Sequence, residues 1–166
     1  MSELVRDRVV VHGPPEAVWA IIEDPVALAR VLPGAESVVA TGSGTFQAVL
    51  ATKIQFLTIR ADVEAAFVDA DPPRHMRLEM AGRPRGLAGS FVVSVPFDLA
   101  PMVVSGPSPE PRSTATEVSY AVDLQVTGRL ASFGAPLLRD TLRRQIAALV
   151  ANVDRELAER GDGSPR

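Results

Sequence analysis

His12 and His75 are the only histidines in this chain, and there is no cysteine. A metal centre or a nucleophilic triad would have to be built around one of those two rings. His12 stands where a first strand runs into Gly13-Pro14-Pro15. His75 falls on the polar parity of an alternating segment, so it is expected to face solvent. No HExxH, paired-histidine or GxSxG pattern accompanies either ring. Asp62 and Glu64 share a strand parity with Arg60. Paired carboxylates suit general acid–base work, but on the wet face of a sheet they read as solvated charge. Gly86 to Gly89 lacks a following helix and is not a phosphate loop. The chain is therefore expected to carry no catalytic set, no metal site and no cofactor.

Charge narrows the partners. The net charge is −3 and no basic stripe is visible, which argues against nucleic acid, because phosphate binding needs clustered Lys and Arg. Arg139, Arg143 and Arg144 could dock an acidic partner or anionic lipid heads. Asp140, Asp154 and Glu156 dilute them, so an ordinary solvated face is expected. The opening MSELVRDRVV carries charges where a secretion signal needs an apolar stretch. No run reaches the roughly 18–20 apolar residues of a membrane span. A cytoplasmic protein follows, with at most peripheral contact at the inner face of the membrane. Lys53 is the only lysine among many arginines, a bias typical of a high-GC bacterial genome.

The elements come from hydrophobic period. A first strand covers 4–12, and two short helices cover about 15–23 and 25–31, separated by Asp24-Pro25. Val38 to Ala40 and Phe46 to Leu50 flank a turn at Thr41-Gly42-Ser43-Gly44, a hairpin. Leu57, Ile59, Ala61, Val63, Ala65 and Phe67 then alternate with Thr58, Arg60, Asp62 and Glu64. A period of two sends the sets to opposite faces, one buried and one wet, as in antiparallel sheets. After a turn at Asp71-Pro72-Pro73, Met76, Leu78 and Met80 alternate with His75, Arg77 and Glu79. A further turn is expected at Gly82–Gly86, followed by a strand with Leu87, Phe91, Val93, Val95, Phe97 and Leu99 on one face. Pro96 predicts a bend or an edge there. Residues 100–114 read as a proline-rich, mobile hairpin tip. Val118 to Val126 form the last strand. From Leu130 to Leu157, apolar residues recur at spacings of three and four, an amphipathic helix that starts near 135 or kinks at Pro136.

These elements predict one α+β domain over residues 1–158 and a disordered tail at 159–166. A curved antiparallel sheet of six to seven strands wraps a long C-terminal helix, with two short helices after the first strand closing one end. Either the sheet closes fully on the helix, or a gap of about 300–1,000 Å³, typical of ligand pockets, stays open. Ala48, Ala61, Ala65, Ala88 and Gly89 are small residues at or beside inward positions. Met76 and Met80 adapt to varied shapes. The expected lining is Trp19, Ile22, Leu32, Ile59, Met76, Met80, Phe91, Phe133, Leu137 and Thr141, with Leu32-Pro33-Gly34 as a candidate gate. For Trp19, Phe133, Leu137 and Thr141, plain core packing stands as the other reading.

Several stretches resemble one family, the CoxG proteins of carbon monoxide dehydrogenase systems, within the START-like, or helix-grip, superfamily. Pro15-Glu16-Ala17-Val18-Trp19 with Asp24-Pro25 looks like the family's opening helix, and Leu32-Pro33-Gly34-Ala35 like its turn. Lys53 matches a usual lysine. Gly86-Leu87-Ala88-Gly89-Ser90 and Gly128-Arg129-Leu130-Ala131-Ser132-Phe133-Gly134 are similar to its glycine-paced strand and the opening of its long helix. Together they span nearly all of residues 5–157. The chain departs from the pattern at Gln55-Phe56, where Gly-Pro is usual, and at Pro136 and the prolines of 100–113. It is expected to lack the membrane-binding extension of some members.

The resemblance implies a non-enzymatic carrier for a hydrophobic small molecule such as a quinone or lipid, accessory to a large oxidoreductase of the molybdenum hydroxylase type. A polyketide cyclase-like enzyme is the alternative, and it requires a polar group such as Tyr120, Thr141 or Gln145 to project inward. An assembly factor with an incidental cavity is a third reading.

Overall fold

The computed structural model describes residues 2–103 and 114–162. Along the chain run β1 (Ser2–Val11), α1 (Pro15–Ile22), α2 (Pro25–Val31), β2 (Ala35–Gly42), β3 (Thr45–Ile54), β4 (Leu57–Asp71), β5 (His75–Pro84), β6 (Phe91–Val103), β7 (Thr114–Val126), a 3-10 turn (Gly128–Phe133) and α3 (Ala135–Asp162). The strands form one sheet in the order β1-β7-β6-β5-β4-β3-β2, antiparallel throughout. This is the α+β helix-grip arrangement: a seven-stranded sheet around the long last helix, with α1 and α2 inserted after the first strand.

Local chemistry sets the helix ends. Pro15 and Pro25 open α1 and α2, where a missing N–H has no intrahelical partner. The Asp24 side chain accepts the Val26 N–H at 3.0 Å and caps α2. Gly134, at φ 82°, turns the chain out of the 3-10 turn. The main helix then starts at Ala135, which puts Pro136 in its tolerated first turn. Pro136 thus begins the helix rather than kinking it.

The alternation of β4 is realised: Ala61, Val63 and Ala65 are buried, while Arg60, Asp62 and Glu64 are exposed. Other expectations change. No turn occurs at Gly82, because β5 continues to Pro84 and Gly82 pairs with Phe91. A Cβ at Gly82 would collide with the Phe91 ring, so this glycine makes room for an aromatic on the next strand. Leu87 consequently lies in the loop before β6. Pro96 sits in an interior strand, opposite Arg77. The β6–β7 pairs skip from Ser94–Asp123 to Phe97–Tyr120, and a residue without an N–H is accommodated in that gap. Residues 100–103 extend β6, and the rest of the expected tip, 104–113, lies outside the described residues. At the C-terminus α3 continues to Asp162, beyond the boundary expected at 158, and residues 163–166 of the expected tail are likewise outside.

One end of the molecule is solid. Trp19, Ile21, Ala27, Val31, Met76, Leu99 and Leu157 are buried together where α1 and α2 meet the C-terminal half of α3. Arg30 pairs with Glu156, and Asn152 donates to the Val31 carbonyl at 2.9 Å, so α2 is tied to α3. At the other end two glycine-rich stretches meet. Arg129 N–H donates to Ala88 O at 2.8 Å and Thr127 N–H to Ser90 O at 2.9 Å. A Cβ at Gly89 or Gly128 would strike the opposing backbone, so this contact needs glycine on both sides.

Candidate functional site

Between the concave face of the sheet and α3 lies a cavity of about 410 Å³. That volume is within the range of ligand pockets. Strands β1 and β3–β7 contribute inward side chains, α1, α2 and the Leu32-Pro33 turn contribute the cap, and α3 contributes the stripe from Leu138 to Val153. The wall is aliphatic and aromatic except for Thr52, Tyr120, Thr141 and Gln145, and among the described residues no charged side chain lines it.

Six of the expected lining residues are on the wall: Ile22, Leu32, Ile59, Met80, Phe91 and Thr141. Four are not. Trp19 and Met76 are packed into the solid end of the core, 5% and 4% exposed. Phe133 belongs to the 3-10 turn, and Leu137 sits one position before the wall residue Leu138. The late start of α3 rotates the inward stripe onto Leu138, Thr141, Leu142, Gln145 and Ile146. The expected lining leaves out Val9 of β1 and Val118 of β7, while Tyr120, an inward polar group of the cyclase-like reading, is on the wall. Of the candidate gate, Leu32 and Pro33 line the cavity. Gly34 has φ 76° and lies against the Ala51 backbone, whose N–H it accepts at 2.8 Å.

The polar wall groups differ in how they are satisfied. The Thr141 hydroxyl donates to Leu137 O at 2.9 Å, within its own helix. Tyr120 and Gln145 have no side-chain hydrogen bond to the described residues. Burial pushes the Tyr120 phenol up, the Asp7 carboxylate adds to this and Arg143 offsets part of it, so the phenol stays neutral.

The residues with catalytic chemistry lie elsewhere. His75 Nδ1 is 2.8 Å from Asp98, and His12 Nδ1 is 3.2 Å from Asp154. Asp62 is engaged by Arg85 at 2.6 Å on the outer face. Among the described residues no three His, Asp or Glu side chains gather as a metal site. No helix of the described residues is long and apolar enough to cross a membrane.

A sheet gripping one long helix around a ligand-sized apolar cavity defines the START-like class. The family model for CoxG, a carbon monoxide dehydrogenase subunit, matches residues 8–158, and the chain belongs to the CoxG family. Solved structures share the fold. A conserved protein from Geobacillus kaustophilus superposes with TM-score 0.76 at 22% identity, covering 92% of this chain and 93% of that one. The Zhui aromatase/cyclase from Streptomyces sp. R1128 gives TM-score 0.63 at 16% identity, covering 97% and 98%. A START superfamily protein from Mycobacterium smegmatis gives 0.61 at 13%, covering 95% and 99%. None of the curated proteins matches it in sequence.

Proposed function

We propose that this chain is a non-enzymatic carrier for a hydrophobic small molecule, a quinone or a lipid, serving a large oxidoreductase of the carbon monoxide dehydrogenase type in the cytoplasm. One observation carries the reading: the 410 Å³ cavity has a mainly apolar wall with no charged side chain among the described residues. Such a wall binds by removing ligand surface from water, at about 25 cal/mol per Å² before the costs of association. It offers no acid, base or nucleophile matched to turnover near neutral pH. The partnership rests on membership of the CoxG family.

The cyclase-like alternative has its own support. Tyr120, Thr141 and Gln145 all lie on the wall, and one protein of the same fold is an aromatase/cyclase. In that reading they orient a flexible chain for ring closure. Native mass spectrometry of the purified protein, with solvent extraction and thermal shifts against quinones and fatty acyl lipids, separates the two. A carrier holds or gains a lipophile that is recovered chemically unchanged, with a raised melting temperature. An empty protein that no lipophile stabilises sinks the carrier reading, and recovery of a cyclised product establishes the enzyme.

A further inference from the structure

Apart from Thr52 on β3, the polar side chains of the cavity wall come from two elements, β7 and α3. Tyr120 lies on β7, paired across the sheet with Asp7 of β1 and Phe97 of β6. Residues directly opposite in an antiparallel ladder share a face, so Asp7 also points to the concave side. Its parity neighbours are Val5, which is buried, and Val9, which lines the cavity, yet Asp7 is exposed. Solvent therefore reaches the concave face at this level of β1.

Two tethers fix which part of α3 faces that level. Arg139 Nε donates to Leu4 O at 3.0 Å, and His12 N–H donates to Asp154 at 2.8 Å. Strand β1 and α3 thus run in the same direction. The eight strand steps span about 27 Å and the fifteen helical steps about 22 Å. Asp7 is three-eighths of the way along, which is level with the turn of α3 that holds Arg143 and Gln145. The electrostatic influence of both Asp7 and Arg143 on Tyr120 agrees with this placement.

In a wall whose other polar side chains are Thr52 and Thr141, a phenol donor and an amide, which both donates and accepts, so lie at one level, and neither has a side-chain partner among the described residues. Asp7 and Arg143 bracket them with opposite charges, and neither lines the cavity. A charged head would meet one ally and one opponent there, whereas a neutral oxygen would be served by Tyr120 and Gln145 alone. Toward the far end the wall is apolar and includes Ile21, Ile22, Leu28 and Val153.

We propose that Tyr120 and Gln145 form the head-group subsite of the cavity, selecting an amphiphile with a neutral hydroxyl or carbonyl whose apolar remainder runs along α3 toward α1 and α2. This rests on the carrier reading and specifies the class of molecule it takes. The test compares 1-dodecanol, 2-dodecanone and dodecane as probes on the whole chain, by native mass spectrometry and calorimetry. Tyr120→Phe and Gln145→Leu are made separately, and thermal melting shows that each variant is folded. Affinity for dodecanol and dodecanone should fall about tenfold in each variant, the equivalent of one neutral hydrogen bond. Affinity for dodecane should change less than twofold. Equal effects on all three probes, or no effect on the oxygenated pair, overturns the subsite while leaving the carrier reading in place. Failure of all three to bind the unaltered protein overturns both.

Discussion

Arg30 grips Glu156 with two hydrogen bonds, Nε to Oε1 at 2.9 Å and a terminal nitrogen to Oε2 at 2.7 Å. The pair joins α2 to the last turns of α3, across 126 residues of sequence. Arg160 adds a third contact to the same carboxylate at 3.1 Å. The Glu156 side chain is 6% exposed and Arg30 53%, so the carboxylate is sheltered while its main partner touches water. Hydrogen bonding to Arg30 draws the Glu156 carboxyl down from 4.5 to about 2. The cap over the solid end of the core is thus held by a charge that must stay ionised.

The pH dependence follows from the sign of that shift. A carboxyl with a lowered folded-state value contributes its stability above the unfolded value and loses it as pH falls toward the folded value. The Glu156 contribution should be complete above about pH 5 and fade between 4.5 and about 2. Glu156→Gln should cost about 1.5–3 kcal/mol at pH 7, near the lower figure because Arg30 is half exposed. Urea titrations at stepped pH should show the two proteins converging in acid. Parallel curves across that range would remove Glu156 from the account.

Gly34→Ala should destabilise through the backbone. The position has φ 76°, and an added Cβ would strike the Ala51 carbonyl. Strain of this kind costs about 1–3 kcal/mol before the clash is counted. The melting temperature should drop by at least about 5 °C. Leu32 and Pro33 line the cavity beside it, so dodecanol affinity should fall as well. A variant that melts like the parent would mean that the turn can move away from β3 at no cost.

Periodicity made the fold legible, because one-sided burial imposes it. The run Leu57 to Phe67 had only one way to bury its apolar set, and the spacing of Leu138, Leu142, Leu149 and Val153 likewise fixed a helix face. Punctuation was less legible. Gly82 resembled a turn because glycine breaks strands as often as it makes room in them, and only the Phe91 ring across the ladder distinguishes the two. Pro96 resembled an edge because the gap that accommodates it belongs to a partner strand. The site followed the same division. Ile59, Met80 and Phe91 could be placed by parity. Met76 has the inward parity of its strand and Trp19 lies on the buried face of α1, but both sit at the wrong depth, and depth depends on where α1 and α2 dock. Tyr120 and Gln145 could be seen as inward, but not as level with each other.

Trp19 is the strongest test of that depth. It is 5% exposed and absent from the cavity wall. Trp19→Ala should cost about 3–5 kcal/mol, as large-to-small changes in a closed core do. In the fraction that stays folded, dodecanol affinity should change less than threefold. A selective loss of binding with little loss of stability would return Trp19 to the ligand site.

Ile146→Trp asks whether the space along α3 is open. Ile146 faces the cavity at mid-helix, one position after Gln145. In a closed core the larger indole would force neighbours off their rotamers, at about 1–3 kcal/mol. In an open cavity it occupies free volume and gains contacts on a wall that lacks partner atoms. The melting temperature should therefore hold within about 2 °C or rise, while dodecanol and dodecane both lose at least tenfold in affinity, because the indole takes the space for the tail. Loss of binding for both probes distinguishes this change from Tyr120→Phe, which should affect the oxygenated probe alone. A large fall in melting temperature would mean that the sheet and α3 are already in contact at this level and that the cavity closes in solution.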